Sequence, residues 1–304
     1  MSAAWIGLDV GGTKLLGVAV DEDGNVVARV RRETRREEGP AAVLGRCVEL
    51  VRELGDGRRA RGLGVGFAGL VDAREGRVSS SIMLPGWTGF PLGRELGSAL
   101  DLACCVDNDA NAAAYGEWVA IGRPRELTLV VVTVGTGIGG ALVLDGRLHR
   151  GASGVAGEIG NTSVDWRGDE CWCGNRGCLN TLASGSALSA RYAELTRAPA
   201  LPVLAIGERA RAGDAVARRV LDDGARALGA GLANVVNLLN PGRIALAGGV
   251  VELGDDWLAL VRAEVARRAF AEGVRACTIE RCRGGEAAGA LGAAALARDA
   301  NGSA

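Results

Sequence analysis

The 304-residue chain is short of several things at once. It has one histidine, His149, one lysine, Lys14, and 4% aromatic residues. No apolar run approaches the roughly 18 residues that a membrane span needs. No charged region leads into a long apolar stretch at the start, because Asp9 interrupts the first apolar run, so a secretory signal is not expected. Thirty-five basic and 36 acidic residues leave a net charge of −1, so no overall field draws the chain to nucleic acid or to an anionic membrane. Eight cysteines are too few for a disulfide scaffold at this length. Three of them crowd together as Cys171, Cys173 and Cys178, which in a reducing compartment suggests metal before disulfide. A soluble cytoplasmic protein with no nucleic-acid or membrane partner is the expectation. At roughly 100–200 residues per domain the length suits two domains, and 48% apolar with 23% charged residues is an ordinary globular balance.

Glycine is what the chain has in quantity, 48 residues that fall in bursts at the ends of apolar runs. Ala4 to Val10 reads as a buried strand ending at Gly11-Gly12. Leu16 to Val20 and Asn25 to Val30 continue as strands around the turn signal Asp23-Gly24. Such a start is antiparallel, unlike a dinucleotide fold, where the glycine loop opens straight into a helix. Val43, Leu44, Cys47, Leu50 and Val51 have helical spacing within Gly39 to Leu54. Leu63 to Phe67 is a strand closed by Ala68-Gly69, and Asp109 to Ile121 a helix ended by Gly122 and Pro124. The opening pattern then recurs: strand Leu127 to Val134, glycine loop Gly135 to Gly140, strand Ala141 to Leu144, turn Asp145-Gly146. Two related domains, each offering one loop to a shared ligand, would account for the repetition. Ala215 to Leu239 is a long helix, Arg243 to Ala247 a strand before Gly248-Gly249, Trp257 to Phe270 a helix, and Glu286 to Arg298 a closing helix.

Chemistry can sit at few points. Backbone N–H groups of Gly11 and Gly12 can approach phosphate oxygens closely, Thr13 adds a hydroxyl, and Asp9 is placed to hold a hydrated Mg²⁺ beside them. Gly135, Thr136 and Gly137 offer the same kind of donors. Glycine after a strand is more often a plain turn, and it is the occurrence of two such loops in matching context that points to phosphate. In Asp107-Asn108-Asp109-Ala110-Asn111 a helix N-cap accounts for one residue and leaves the others without work. The functional reading makes Asp109 a general base for a substrate hydroxyl, oriented by Asn108. Glu158 among glycines is either solvated or aimed at a polyhydroxylated ligand. The three cysteines have zinc-like spacing, but a closed site wants a fourth ligand, and His149 reads as a surface residue.

Taken together the chain resembles the ROK group of sugar kinases and repressors, on the actin-like hexokinase fold. The resemblance runs nearly end to end. It is carried by Asp9–Lys14, Leu84-Pro85-Gly86-Trp87, Asn108-Asp109-Ala110-Asn111, Gly135–Gly140, Gly157-Glu158-Ile159-Gly160, Cys171-x-Cys173-Gly174-x-x-Gly177-Cys178-Leu179 and Asn237-Leu238-Leu239-Asn240-Pro241. It implies an α/β fold of two actin-like, ribonuclease H-like domains with an interdomain active-site cleft. The smaller would span 1–110 plus the C-terminal helix at about 286–304, and the larger, with the cysteine-rich loop, 111–285. It implies ATP-dependent transfer of the γ-phosphoryl group to a primary hydroxyl, typically the 6-hydroxyl of a hexose, with Asp109 as base. Asn108, Glu158 and Gly69 would meet the acceptor. Asp9, Gly11, Gly12, Thr13, Lys14, Gly135, Thr136 and Gly137 would hold ATP and Mg²⁺, and Gly248 and Gly249 would lie near the adenosine. Cys171, Cys173 and Cys178 would bind a structural Zn²⁺. A homodimer or tetramer is expected by the same resemblance.

The chain departs from the family pattern at three places. Asn161 replaces the usual histidine after Gly-Glu-Ile-Gly, which ligates zinc and touches sugar. Asn180 replaces a sugar-contacting glutamate, and Met83 a common asparagine. Losing two charge-assisted contacts can shift acceptor preference by a factor of about 100. The acceptor is then glucose itself, if asparagine serves as well, or a ring-modified relative: an amino- or deoxy-sugar, or a seven-carbon cyclitol. A sugar-responsive repressor would carry a helix-turn-helix ahead of the phosphate loop, where only eight residues precede Asp9. A non-catalytic sugar sensor is the alternative.

Overall fold

Continuous apolar runs form the inner strands, because a strand covered on both faces needs apolar side chains at every position. The computed structural model describes residues 3–56 and 59–302. Ala3–Val10 (β1) and Lys14–Val20 (β2) are buried along nearly their whole length. Val26–Glu33 (β3) carries Arg29, Arg31, Arg32 and Glu33, is mostly exposed and stands at the sheet edge, where charge discourages further pairing. Arg59–Phe67 (β4) follows, then a separate ribbon of Leu70–Asp72 (β5) and Arg77–Ser80 (β6), and Cys104–Asn108 (β7). The sheet order is β3-β2-β1-β4-β7, with β1 antiparallel to β2 and parallel to β4, and β4 parallel to β7.

The second sheet repeats the plan. Leu129–Val134 (β8), Ile138–Leu144 (β9), Arg147–Leu148 (β10), Arg243–Ala247 (β11) and Thr278–Arg281 (β12) lie in the order β10-β9-β8-β11-β12. β8 is antiparallel to β9 and parallel to β11, and β11 is parallel to β12. With the small ribbon set aside, both sheets have the order third, second, first, fourth, fifth. That likeness is the structural basis of the repetition in the sequence.

The chain divides into two compact units, Met1–Pro124 with Arg147–Ala156 and Arg283–Ala304, and Arg125–Gly146 with Gly157–Cys282. In the first, the helix Gly39–Leu54 buries Val43, Cys47, Leu50, Val51 and Leu54. Trp87 of the Leu-Pro-Gly-Trp segment is a core residue, 1% exposed, between the rings of Phe67 and Phe90 at 5.0 and 4.8 Å. In the second, Ala215–Leu239 presents Ala217, Val220, Leu221, Leu228, Leu232 and Val236 to the core. It starts on Asp214, whose carboxylate accepts from the N–H groups of Val216 and Ala217, and stops at Asn240 in the left-handed region ahead of Pro241.

The closing segment begins as a 3₁₀ turn, Gly285–Ala287, and only then becomes the helix Ala288–Gly302. This helix lies on the first sheet with backbone against backbone. A Cβ on Gly64 would stand 1.8 Å from the Ala293 carbonyl oxygen, and one on Gly292 would stand 1.7 Å from that of Ala112 in the helix Asp109–Ala120. Neither neighbour is a side chain that can swing away. Gly64→Ala is therefore expected to cost about 3 kcal/mol or more, whereas Gly45→Ala, at an exposed helical position with open space around it, should stabilise by about 0.5–1 kcal/mol. Denaturant midpoints of the two variants read the contrast directly.

Candidate active site

Three parallel strands of the first unit end side by side. Asp9 on β1 is paired with Gly66 on β4, and Gly66 with Asp107 on β7, so Asp9, the Gly11–Lys14 turn, Gly69 and Asn108-Asp109 emerge at one edge. In parallel α/β sheets this edge, at the carboxyl ends, is where ligands bind. Burial pushes the Asp9 carboxyl up to about 6, with Lys14 opposing and Glu286 reinforcing the rise. Gly289 makes room for that carboxylate, since a Cβ there would lie 3.2 Å from Oδ2. The turn is pinned from within and from β3's end: Gly11 N–H donates to the Lys14 carbonyl at 3.0 Å, and the Thr34 hydroxyl donates to the Gly11 carbonyl at 2.6 Å. Lys14 Nζ lies 3.0 Å from Glu286, which Arg29 and Arg31 also flank at 2.6 and 3.3 Å. Lys14, hydrogen-bonding it, and then the neighbouring arginines hold the Glu286 carboxyl below its usual range. Met83 lies against Gly12, where a Cβ would come within 3.2 Å of it.

Asn108 caps the helix Asp109–Ala120, its Oδ1 accepting from the N–H groups of Ala110 and Asn111 at 2.9 and 3.1 Å. Its Nδ2 donates to the Gly69 carbonyl at 3.0 Å and to Asp109 Oδ1 at 3.1 Å. Asp107, 4% exposed, accepts from Asn111 Nδ2 at 2.8 Å and from Arg150 Nε at 3.0 Å. More of this cluster has structural work than capping alone suggests: Asp107 is a buried anchor, Asn111 is tied to it, and Asn108 both caps the helix and steadies Asp109. Arg150 sits in no motif, and nothing short of the fold reveals its pairing with Asp107. The same holds for Glu286 beside Lys14.

In the second unit the glycine loop is shorter than the sequence pattern suggests. Gly139 and Gly140 are already in the ladder opposite Thr133 and Val132, which leaves Gly135-Thr136-Gly137 as the turn. Gly135 N–H donates to the Gly137 carbonyl at 2.8 Å, and the helix Gly185–Thr196 abuts the turn through Gly185 N–H on the Gly135 carbonyl at 2.7 Å. Gly248, at φ +97°, sits over the end of β8, where a Cβ would be 2.5 Å from the Val134 carbonyl oxygen, so Gly248-Gly249 adjoins the start of the turn.

Gly160 lies on the backbone of Ile138, where a Cβ would be 2.0 Å from the carbonyl oxygen, and this brings Glu158 and Asn161 beside the loop. Glu158 is half-buried, and burial raises its carboxyl above the usual range. Asn161 Nδ2 is 3.4 Å from Glu158 Oε2, Asn180 Nδ2 donates to Asn161 Oδ1 at 2.8 Å, and Ile138 N–H donates to Asn180 Oδ1 at 2.7 Å.

The Sγ atoms of Cys171, Cys173 and Cys178 all lie within 4.8 Å of one another, with Cys173 and Cys178 at 3.6 Å. Tetrahedral zinc with Zn–S near 2.3 Å sets sulfurs about 3.8 Å apart, so three corners of such a site fit. The side chain of Asn161 is engaged with Asn180 and Glu158, and it is its backbone carbonyl that meets Cys178 Sγ, at 3.4 Å. His149 is exposed and is not among the clustered groups. No helix among the described residues is long and apolar enough to cross a membrane.

Comparison with known proteins places the chain in a family. The family model of the ROK family matches residues 5–300. A glucokinase of Thermotoga maritima is 32% identical over 97% of both chains, and an N-acetylmannosamine kinase of Yersinia pestis is 32% identical over 96% of this chain and 98% of its own. The crystal structure of a ROK family glucokinase from Streptomyces griseus, in complex with glucose and AMPPNP, superposes with a TM-score of 0.84 at 32% identity, covering 97% of this chain and 99% of that one.

Asp9 provides a test of the site's electrostatics. Its folded pKa of about 6 lies above the ordinary 3.8, so stability is greatest while it is protonated and declines as pH rises from about 4 through 6. Asp9→Asn should remove that penalty, worth about 2–3 kcal/mol at neutral pH, and raise Tm by several degrees at pH 7.5. The gain should shrink as pH falls through 6 toward 4; a gain that does not change with pH would contradict the assignment.

Proposed function

The chain belongs to the ROK family, whose actin-like two-domain α/β fold it shares, and is a carbohydrate kinase; from this premise we propose that it transfers the γ-phosphoryl group of ATP to the primary hydroxyl of a hexose or hexose-like acceptor, with Asp109 as general base. The observation that carries the reading is the hold on Asp109. Its carboxylate starts a helix at the carboxyl end of β7, steadied by the Asn108 amide, at the same sheet edge as Asp9 and the Gly11–Lys14 turn. A carboxylate so held accepts the hydroxyl proton as the acceptor oxygen bonds to phosphorus and the bond to the departing ADP breaks.

Phosphoryl transfer asks little covalent chemistry of a protein and much positioning. Gly11, Gly12, Thr13 and Lys14, with Gly135, Thr136 and Gly137, hold the phosphates, and Gly248 and Gly249 lie toward the adenosine. Asp9, at the end of β1 beside the Gly11–Lys14 turn, would hold a hydrated Mg²⁺. When bound, that ion neutralises charge on the transferring group. Cys171, Cys173 and Cys178 would hold a Zn²⁺ and so brace the loop leading to Asn180. None of the eight cysteines is paired in a disulfide, which suits the reducing cytoplasm.

Asn108, Gly69 and Glu158 meet the acceptor. The relatives' names, a glucokinase and an N-acetylmannosamine kinase, support a hexose class. Asn161 and Asn180 then divide two acceptors: glucose, or a sugar or seven-carbon cyclitol altered around the ring oxygen and anomeric carbon. ADP release with ATP and Mg²⁺ against glucose, mannose, their N-acetylated amines, 3-amino-glucose and seven-carbon cyclitols should show turnover on one class well above the rest. Highest kcat/KM on glucose would make the two asparagines neutral replacements, and preference for a ring-modified acceptor would make them specificity determinants. Silence across the panel by a protein that binds ATP would contradict the proposal.

A further inference from the structure

Asn161 and Asn180 do more than occupy two altered positions, because they are bonded to each other and to both functional segments of their unit. The links run from Ile138 N–H, one residue beyond the glycine turn, to Asn180 Oδ1 at 2.7 Å, from Asn180 Nδ2 to Asn161 Oδ1 at 2.8 Å, and from Asn161 Nδ2 toward Glu158 Oε2 at 3.4 Å. The direction of this chain is fixed by chemistry at both ends. A backbone N–H can only donate, so Asn180 must turn its oxygen to Ile138 and its nitrogen to Asn161. Asn161 must then present oxygen to Asn180 and nitrogen to Glu158, and an ionised carboxylate can only accept. Two neutral amides, each with one donor and one acceptor end, are what such a one-way chain requires. A carboxylate at position 180 could accept at both ends and donate at neither. Close backbone contacts leave the chain little slack: a Cβ on Gly160 would lie 2.6 Å from Asn180 Nδ2, and one on Gly137 3.4 Å from Asn180 Oδ1.

We propose that Asn180 and Asn161 are positioning residues that couple the nucleotide loop to the acceptor carboxylate. Phosphates ordering Gly135–Gly137 fix Ile138 N–H, and through the two amides fix the Glu158 carboxylate in the orientation that receives sugar hydroxyls. The inference rests on the reading that Gly135–Gly137 meets ATP and Glu158 meets the acceptor. Coupling of this kind is reciprocal, so each ligand tightens the other by the same factor.

The test is a binding cycle with AMPPNP–Mg²⁺ and glucose as probes, measured by calorimetry on the full chain. In the unaltered protein, saturating glucose should tighten AMPPNP by about fivefold or more. Asn180→Asp is nearly isosteric and keeps the acceptor for Ile138 N–H but cannot donate to Asn161; Asn161→Ala removes the links to Asn180 and to Glu158 and leaves Asn180 on Ile138 N–H. Each variant should bind AMPPNP alone within about threefold of the parent while mutual tightening falls below about twofold, and the double variant should lose no more than either single one, since one broken link already severs the chain. A tightening factor that survives both substitutions, or one absent from the unaltered protein, would overturn the inference and leave the kinase reading intact. Failure of the unaltered protein to bind AMPPNP would instead sink the reading beneath it. A double variant whose loss is the sum of two independent losses would also overturn it, by showing two separate contacts.

Discussion

Backbone laid directly on backbone, with glycine as the only residue that permits it, is the constraint on which both units depend. The helix Ala288–Gly302 approaches the first sheet so closely that Gly64 meets the Ala293 carbonyl and Gly292 meets that of Ala112. Alanines fill what space remains, and Ala290, Ala294 and Ala297 share a buried cluster with Trp5, Leu16, Val18 and Val20. Such contacts tolerate no added methyl group, because the carbonyl opposite belongs to a hydrogen-bonded element that cannot shift alone. The same helix brings Gly289 to Asp9, so the position of that carboxylate follows from how closely two backbones approach. In the second unit Gly160 lies on Ile138 and Gly157 on Gly140, and these contacts bring Glu158 beside the loop after β8. The chain's glycine content is therefore a packing requirement as much as a supply of turns.

Around these contacts, hydrogen bonds aim the side chains. Asp107, almost wholly buried, is satisfied by Asn111 and Arg150, and with its oxygens committed it serves as a fixed point from which Asn108 and Asp109 project. Glu158 has the opposite situation. Burial raises its carboxyl, and among the described residues its side chain takes one hydrogen bond, from the far amide of Asn161. A carboxylate left short of partners in this way binds hydroxyl donors favourably, since a buried acceptor gains most from a donor it otherwise lacks.

Much of this was legible in the sequence where the pattern is long or doubled. The helix Gly39–Leu54 reads from its spacing to the residue, Ala215–Leu239 from twenty-five positions of consistent stripe, and the two like sheets from a strand, glycine loop and strand that occur twice. Short elements are hidden for a physical reason. The strand Thr278–Arg281 has one buried residue, Ile279, and the helix Val203–Arg211 buries only Ile206, Gly207 and Ala210, one large apolar side chain among them. Glycine misleads at Gly139 and Gly140, which read as loop and stand in a ladder; at Gly140 glycine is needed because a Cβ would lie 2.6 Å from the Gly157 carbonyl oxygen. Long-range partners have no local signal either: Arg150 meets Asp107 across 43 positions, and Glu286 meets Lys14 across 272. The residue types of the candidate site were readable from motifs, whereas the contacts that orient them belong to the fold.

Replacing Asp109 by asparagine separates proton transfer from binding. Asn is the same size and keeps the helix start, but it cannot take the acceptor's proton. Asp109→Asn should lower kcat by about 10²–10⁴-fold while the affinities for AMPPNP–Mg²⁺ and for the acceptor stay within about threefold. Near-normal turnover by that variant would contradict the assignment of Asp109 as the base, and with it the reading of this site as the centre of phosphoryl transfer.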